Sequence, residues 1–107
     1  MKKILIIRTD NSKQELTFEK LDFVTELGSH KPIDITNSIT LWVRTDKEDG
    51  TYNDVANRIH DEYRGVNDDF LYGDVIFTGR ATTTEIAGLD ENAEKLILGY
   101  LPKKETN

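Results

Sequence analysis

Four consecutive aliphatic residues, Ile4-Leu5-Ile6-Ile7, constrain the fold more than any other feature of this chain. Lys2, Lys3 and Arg8 bound the run, and Asp10-Asn11-Ser12 supplies a turn directly after it. A segment with no polar face needs cover on both sides, as a strand in the interior of a sheet has. It falls far short of the roughly 18 apolar residues that mark a membrane span. Met1-Lys2-Lys3 imitates the start of a signal peptide, but Arg8 and Asp10 close the apolar stretch too early. The run therefore predicts an interior strand and no membrane segment, and the absence of cysteine points to a cytoplasmic location.

The rest of the chain supplies partners for that strand. Gln14 to Phe18 alternates polar and apolar residues and is expected to return antiparallel as a hairpin. Leu21, Val24 and Leu27, with Phe23 beside them, recur at helical spacing before Gly28, a helix-closing residue. Ile33 to Ile35 and Ile39 to Arg44 read as strands. In the second, Ile39, Leu41 and Val43 share one face and Thr40, Trp42 and Arg44 the other, the pattern of a half-buried strand. After the Asp49-Gly50 turn, Thr51 is placed to cap a helix with Asp54, and Gly65 to close it. Tyr52, Val55, Ile59 and Tyr63 form its apolar stripe, with Ala56 and His60 on the margin.

Phe70 to Thr78 reads as a strand in which Gly73 marks a bulge or a close backbone approach. Gly79 to Gly88 is a threonine-rich connection. Asp90 is placed to cap a last helix whose apolar face is Ala93, Leu96, Ile97, Tyr100 and Leu101, stopped by Pro102. The sum is an α+β fold: a mixed, mostly antiparallel sheet of about five strands with two or three helices on one face. It forms a single domain over residues 1–102, with a flexible tail over 103–107. One core should gather Ile4, Ile6, Leu41, Val43, Val55, Ile59, Val75, Phe77, Leu96 and Ile97.

Charge is distributed unevenly over this frame. Between Asp46 and Asp74 lie nine acids and three bases, a balance equal to the whole net charge of −6, and the remainder is neutral. A field so concentrated attracts cationic surfaces and repels phosphate backbones. Asp54 and Asp61 flank Arg58 at helical spacing and are partly neutralised within the helix. Asp46, Glu48, Asp49, Glu62, Asp68 and Asp69 remain as a candidate acidic patch for a protein partner with a basic surface. The alternative is that these acids are ordinary solvated surface that keeps the protein soluble.

Specific chemistry is mostly excluded. The chain has no cysteine, which removes disulfides, thiolate nucleophiles and cysteine-based zinc sites. A calcium loop with Gly50 as its turn glycine would place Thr45, Lys47 and Asp49 at the ligand positions before it, and the lysine disqualifies it. His30 and His60 are too far apart in sequence to form a helical ligand pair. His60 adjoins Asp61 and Glu62, where a carboxylate can orient a general base. Gly79-Arg80-Ala81-Thr82-Thr83-Thr84 lacks the lysine and second glycine of a nucleotide loop. Trp42, Phe70, Tyr72 and Phe77 lack the basic neighbours that accompany base stacking. The sequence thus assigns no catalytic residue, metal or cofactor, and no direct nucleic-acid or membrane binding.

Several short motifs carry a resemblance: Asp49-Gly50, the pair Asn57-Arg58, Tyr72-Gly73-Asp74-Val75-Ile76-Phe77-Thr78-Gly79, and Leu89-Asp90-Glu91-Asn92-Ala93-Glu94-Lys95-Leu96. Over its second half the chain resembles domain of unknown function 3846, small proteins of phages, plasmids and Gram-positive mobile elements. The first half departs, with Gly28-Ser29 where that family has a glycine pair. The resemblance implies a setting and no activity. The expected function is a small intracellular protein-interaction module from a phage or mobile element, in its most concrete form an acidic inhibitor of a host nucleic-acid-handling enzyme. The alternatives are a small enzyme using Asn57, Arg58 and His60 on a polar substrate, and a homo-oligomeric accessory protein joined through an exposed edge strand.

Overall fold

The aliphatic run becomes strand β1 (Lys2–Ile7), an interior strand as its composition demands. The computed structural model describes residues 2–18, 30–44, 50–65, 70–82 and 85–101. The helix expected around Leu21 to Gly28, Pro102 and the tail over 103–107 lie outside them. β2 (Lys13–Phe18), β3 (His30–Thr36), β4 (Ile39–Arg44), helix α1 (Asp54–Arg64), β5 (Val75–Thr78) and helix α2 (Glu91–Leu98) follow β1. The strands form a five-stranded sheet in the order β2-β1-β5-β4-β3. Every pairing is antiparallel, so the sheet is not mixed.

Two tight turns make the outer hairpins. Between β1 and β2, Asn11 takes a left-handed φ of 69° and its N–H donates to the Arg8 carbonyl at 2.9 Å. Asparagine tolerates this conformation better than most residues. Between β3 and β4 the Ser38 N–H donates to the Thr36 hydroxyl at 3.0 Å. β5 then lies between the two hairpins, pairing Phe77 with Leu5 on one side and with Leu41 on the other.

Both helices pack on one face of this sheet. Leu5, Ile7, Leu41, Val43, Val75 and Phe77 meet Val55, Ala56 and Ile59 of α1 and Ala93 and Ile97 of α2, with Leu96 half-buried beside them. The expected core is corrected at β1: Leu5 and Ile7 face the helices. Ile6, opposite Ile76, points to the other side of the sheet, as does Ile4 by the period of two along a strand. A run that is apolar at every position carries no alternation from which its inward face could be read.

That other side is also covered, which corrects the half-buried reading of β4. Thr40 and Trp42 are buried because the chain after β5 folds back over them. Gly79 donates to the Ala87 carbonyl at 2.9 Å, Ala87 donates to the Arg80 carbonyl at 2.9 Å, and Ala81 bridges Ile86. Trp42 and Ile86 form a second small core with Ile76 and Ala81. The indole N–H donates to Thr78 Oγ1 at 2.9 Å, and the Thr78 hydroxyl donates to the Gly79 carbonyl at 2.7 Å. Gly79 admits no side chain, since an added Cβ would lie 2.2 Å from the Gly88 carbonyl oxygen. Gly79→Ala is therefore expected to cost about 1 to 3 kcal/mol by forcing this cover off the sheet. Chemical denaturation measures the loss, and a red shift of Trp42 emission locates it.

The Asp90 cap and the Gly65 terminus form where the sequence places them. Asp90 accepts the Ala93 N–H at 2.7 Å, and Gly65 ends α1 with a φ of 86°. The cap of α1 is Asn53 instead of Thr51.

Candidate interaction surface

Two asparagines position the surface that the fold leaves open. Asn53 Oδ1 accepts the Ala56 N–H at 3.0 Å, which caps α1, and its Nδ2 donates to the carbonyls of Ile7 at 3.1 Å and Gly73 at 2.9 Å. One turn later, Asn57 Nδ2 donates to the Asn53 carbonyl at 2.7 Å and the Leu71 carbonyl at 2.8 Å, while its Oδ1 accepts the Leu71 N–H at 2.8 Å. Both side chains are buried, and both N–H groups and the oxygen of each amide are engaged. Asn57 has no free donor to offer a substrate.

These clamps fix residues 70 to 73 against the start of α1. Asn53 N–H donates to the Leu71 carbonyl at 3.2 Å and Gly73 N–H to the Thr51 carbonyl at 2.8 Å, so that Tyr52 and Tyr72 form an antiparallel bridge. Gly73 has a φ of 80°, a conformation natural to glycine. The expected continuous strand from Phe70 to Thr78 is broken there, and the ladder of β5 begins at Val75.

Because Leu71 turns into the core, its neighbours turn out. Phe70, Tyr52 and Tyr72 remain 56%, 44% and 39% exposed. Tyr52 touches both of the others: its ring lies edge-on to Phe70 at 5.6 Å between centroids and to Tyr72 at 6.5 Å. Tyr52 was expected on the buried stripe of α1 together with Tyr63, and both are exposed. The alternation Phe70-Leu71-Tyr72 did put the two aromatics on one face, but nothing in the sequence told which face looked inward.

The trio sits among the acids in sequence. Asp46 to Asp49 lead into Tyr52 through Gly50 and Thr51, and Asp68-Asp69 lead directly into Phe70. Of the candidate patch, Asp46, Glu48, Asp49, Asp68 and Asp69 lie outside the described residues. Glu62 is exposed on α1 and, among the described residues, has no basic partner. Other acids of the window are engaged. Asp54 lies 3.6 Å from Arg58, and Asp74 accepts the Thr9 N–H at 3.1 Å and lies 3.8 Å from Arg8.

The groups considered for catalysis are not gathered into a site. Arg58 points away from Asn57, donates to the Tyr100 carbonyl at 3.0 Å and stacks on the Tyr100 ring at 5.6 Å, which ties the end of α2 to α1. Partial burial, with Tyr63 and Glu62 nearby, pushes the Tyr100 phenol above its ordinary pKa, against the opposing charge of Arg58. His60 Nδ1 stands 3.9 Å from the Asp61 carboxylate, too far for the hydrogen bond of an oriented base. Two cavities are lined by described residues, and neither is lined by Asn57, Arg58 or His60. One, of about 200 Å³, is bounded by Asp34, Ile35, Thr36, Asn37, Arg64 and Arg80. The other, of about 530 Å³, runs beside α2 and is crossed by the Lys3–Glu94 pair at 2.8 Å. That contact holds the Glu94 carboxyl below and the Lys3 ammonium above their ordinary values.

Among the described residues no cluster of three or more histidine, cysteine, aspartate or glutamate side chains is placed to hold a metal ion. No described helix is long and apolar enough to cross a membrane. Comparison with family models, curated proteins and solved structures finds no significant match to this chain.

Proposed function

We propose that this protein is an interaction module that docks on a basic protein surface through Tyr52, Phe70 and Tyr72 and the acidic segments that flank them in sequence. The carrying observation is the trio itself: three large exposed rings, Tyr52 in contact with both Phe70 and Tyr72, held outward by two buried asparagines. Tyrosine and phenylalanine concentrate at the centres of protein interfaces, where a few such residues dominate the binding energy. Aromatic faces also receive arginine and lysine side chains, so rings and carboxylates favour the same kind of partner. The acids add long-range attraction, which raises the rate of encounter.

In its most concrete form the partner is a host nucleic-acid-handling enzyme, whose cationic groove the acids would occupy in place of phosphates. The mobile-element setting of this reading comes from the resemblance of the second half of the chain. The reading is tested with one variant carrying Tyr52→Ser, Phe70→Ser and Tyr72→Ser and another carrying Asp68→Lys and Asp69→Lys. Affinity capture from a host lysate identifies the partner, and surface plasmon resonance with the purified partner measures binding across a salt series. The aromatic variant should bind at least about 30-fold more weakly, as loss of a hot spot implies. The charge-reversed variant should associate more slowly and with a flatter salt dependence. Unchanged binding by both variants overturns the proposal. A dimer of the wild-type chain that only the aromatic variant dissolves would make the trio a self-contact instead.

A further inference from the structure

All five arginines of the chain fall within the described residues, and they divide into two groups. Arg8 and Arg58 are held by Asp74 and Asp54, and Arg44 is also engaged. Arg64 and Arg80 have no side-chain ion pair or hydrogen bond among the described residues. In a chain of net charge −6 these two unpaired guanidinium groups line the same cavity.

The cavity has fixed walls. Arg64 is the last residue of α1, so its stem rises from helical backbone. The backbone of Arg80 accepts the Ala87 N–H, and Gly79 before it donates to the Ala87 carbonyl, so both are held by the segment that folds back over the sheet. Opposite them lies the β3–β4 turn, with Thr36 already accepting a hydrogen bond from Ser38 and Asn37 offering its amide. The end of α1 that bears Arg64 is about 16 Å from the end beside the aromatic trio, at 1.5 Å per residue. The cavity is therefore separate from the proposed docking surface.

The geometry points to a binding site for one small oxyanion, a phosphate or carboxylate group, held between Arg64 and Arg80 at the β3–β4 turn. Guanidinium forks match the oxygens of such groups and form hydrogen bonds strengthened by charge. About 200 Å³ admits a single phosphate or a small acid but not a whole nucleotide, since pockets for larger ligands start at about 300 Å³. Asp34, the one carboxylate in the lining, opposes a bare anion and favours a ligand that also carries an amine or another donor.

The test is an NMR titration of the full chain with inorganic phosphate and, separately, acetate, each matched with sodium chloride for ionic strength. The expected result is a saturable shift of the amide signals of Asp34 to Asn37, Arg64 and Arg80. Arg64→Gln and Arg80→Gln should each weaken binding about tenfold or more, the scale of a charge-assisted hydrogen bond. Asp34→Asn should tighten it by removing the opposing charge, an effect that loss of structure cannot imitate. The stronger of the two probes identifies the oxyanion. All three substituted side chains are exposed, so the fold should persist, and unchanged signals from the buried core confirm it. Shifts that fail to saturate, that match the chloride control, or that survive in the double arginine variant overturn the proposal.

Discussion

Phe77→Ala should lower the unfolding free energy by about 3 to 5 kcal/mol, the range for truncating a buried phenylalanine. The ring is fully buried, and its strand joins the two hairpins, so the cavity would open where Leu5 and Leu41 meet from either side. A domain of this size is stable by only about 5 to 15 kcal/mol, and each kilocalorie lost lowers Tm by roughly 4 to 8 °C. The substitution should therefore cost about 12 °C or more. Urea unfolding followed by Trp42 fluorescence measures it, with an unchanged slope confirming that a single cooperative transition remains. A loss below about 1 kcal/mol, well under the range for a buried phenylalanine, would show that the centre of the sheet is not packed as described.

Asn57→Ala should be nearly as damaging, at about 2 to 4 kcal/mol, although it removes no apolar surface. The Asn53 carbonyl keeps the Asn57 backbone N–H and the Leu71 carbonyl keeps the Asn53 N–H, but the Leu71 N–H is left without a partner in the interior. An unsatisfied buried donor costs more than an average hydrogen bond contributes. Leu71 lies between Phe70 and Tyr72, so the substitution should also loosen the aromatic trio. Hydrogen exchange separates the two effects: the Leu71 amide should lose protection beyond the global drop. Equal protection changes throughout the molecule would show that Asn57 does not act locally.

The sequence revealed elements wherever pattern and local chemistry agreed. Gln14 to Phe18 alternates and pairs with β1 as a hairpin, and Asp90 caps α2 at the predicted place. It failed where the answer depended on what lies across the fold. Thr40 and Trp42 looked half-exposed because the segment that covers them is a threonine-rich connection with no apolar pattern of its own. Thr51 and Asn53 are both good caps, and only the carbonyls of Ile7 and Gly73 decide for Asn53. The open face of Phe70 and Tyr72 was undetermined for the same reason. Arg64 and Arg80 are distant in sequence and share no motif, so only the folded chain brings them to one cavity.

The place of β5 in the middle of the sheet has a consequence for the order of events during synthesis. The β1–β2 and β3–β4 ribbons are local and can close as soon as their turns emerge, yet on its other side β1 finds a partner only when Phe77 arrives opposite Leu5. Such long-range pairing is slow to form, because the entropy of closing the intervening chain is lost before the contact rewards it. Emerging from the ribosome at about 5 to 20 residues per second, the chain spends seconds with two hairpins whose apolar faces have no central strand between them. A product that stops before Val75 lacks the strand that joins one ribbon to the other. The nascent protein becomes a single cooperative unit only when its last strand arrives.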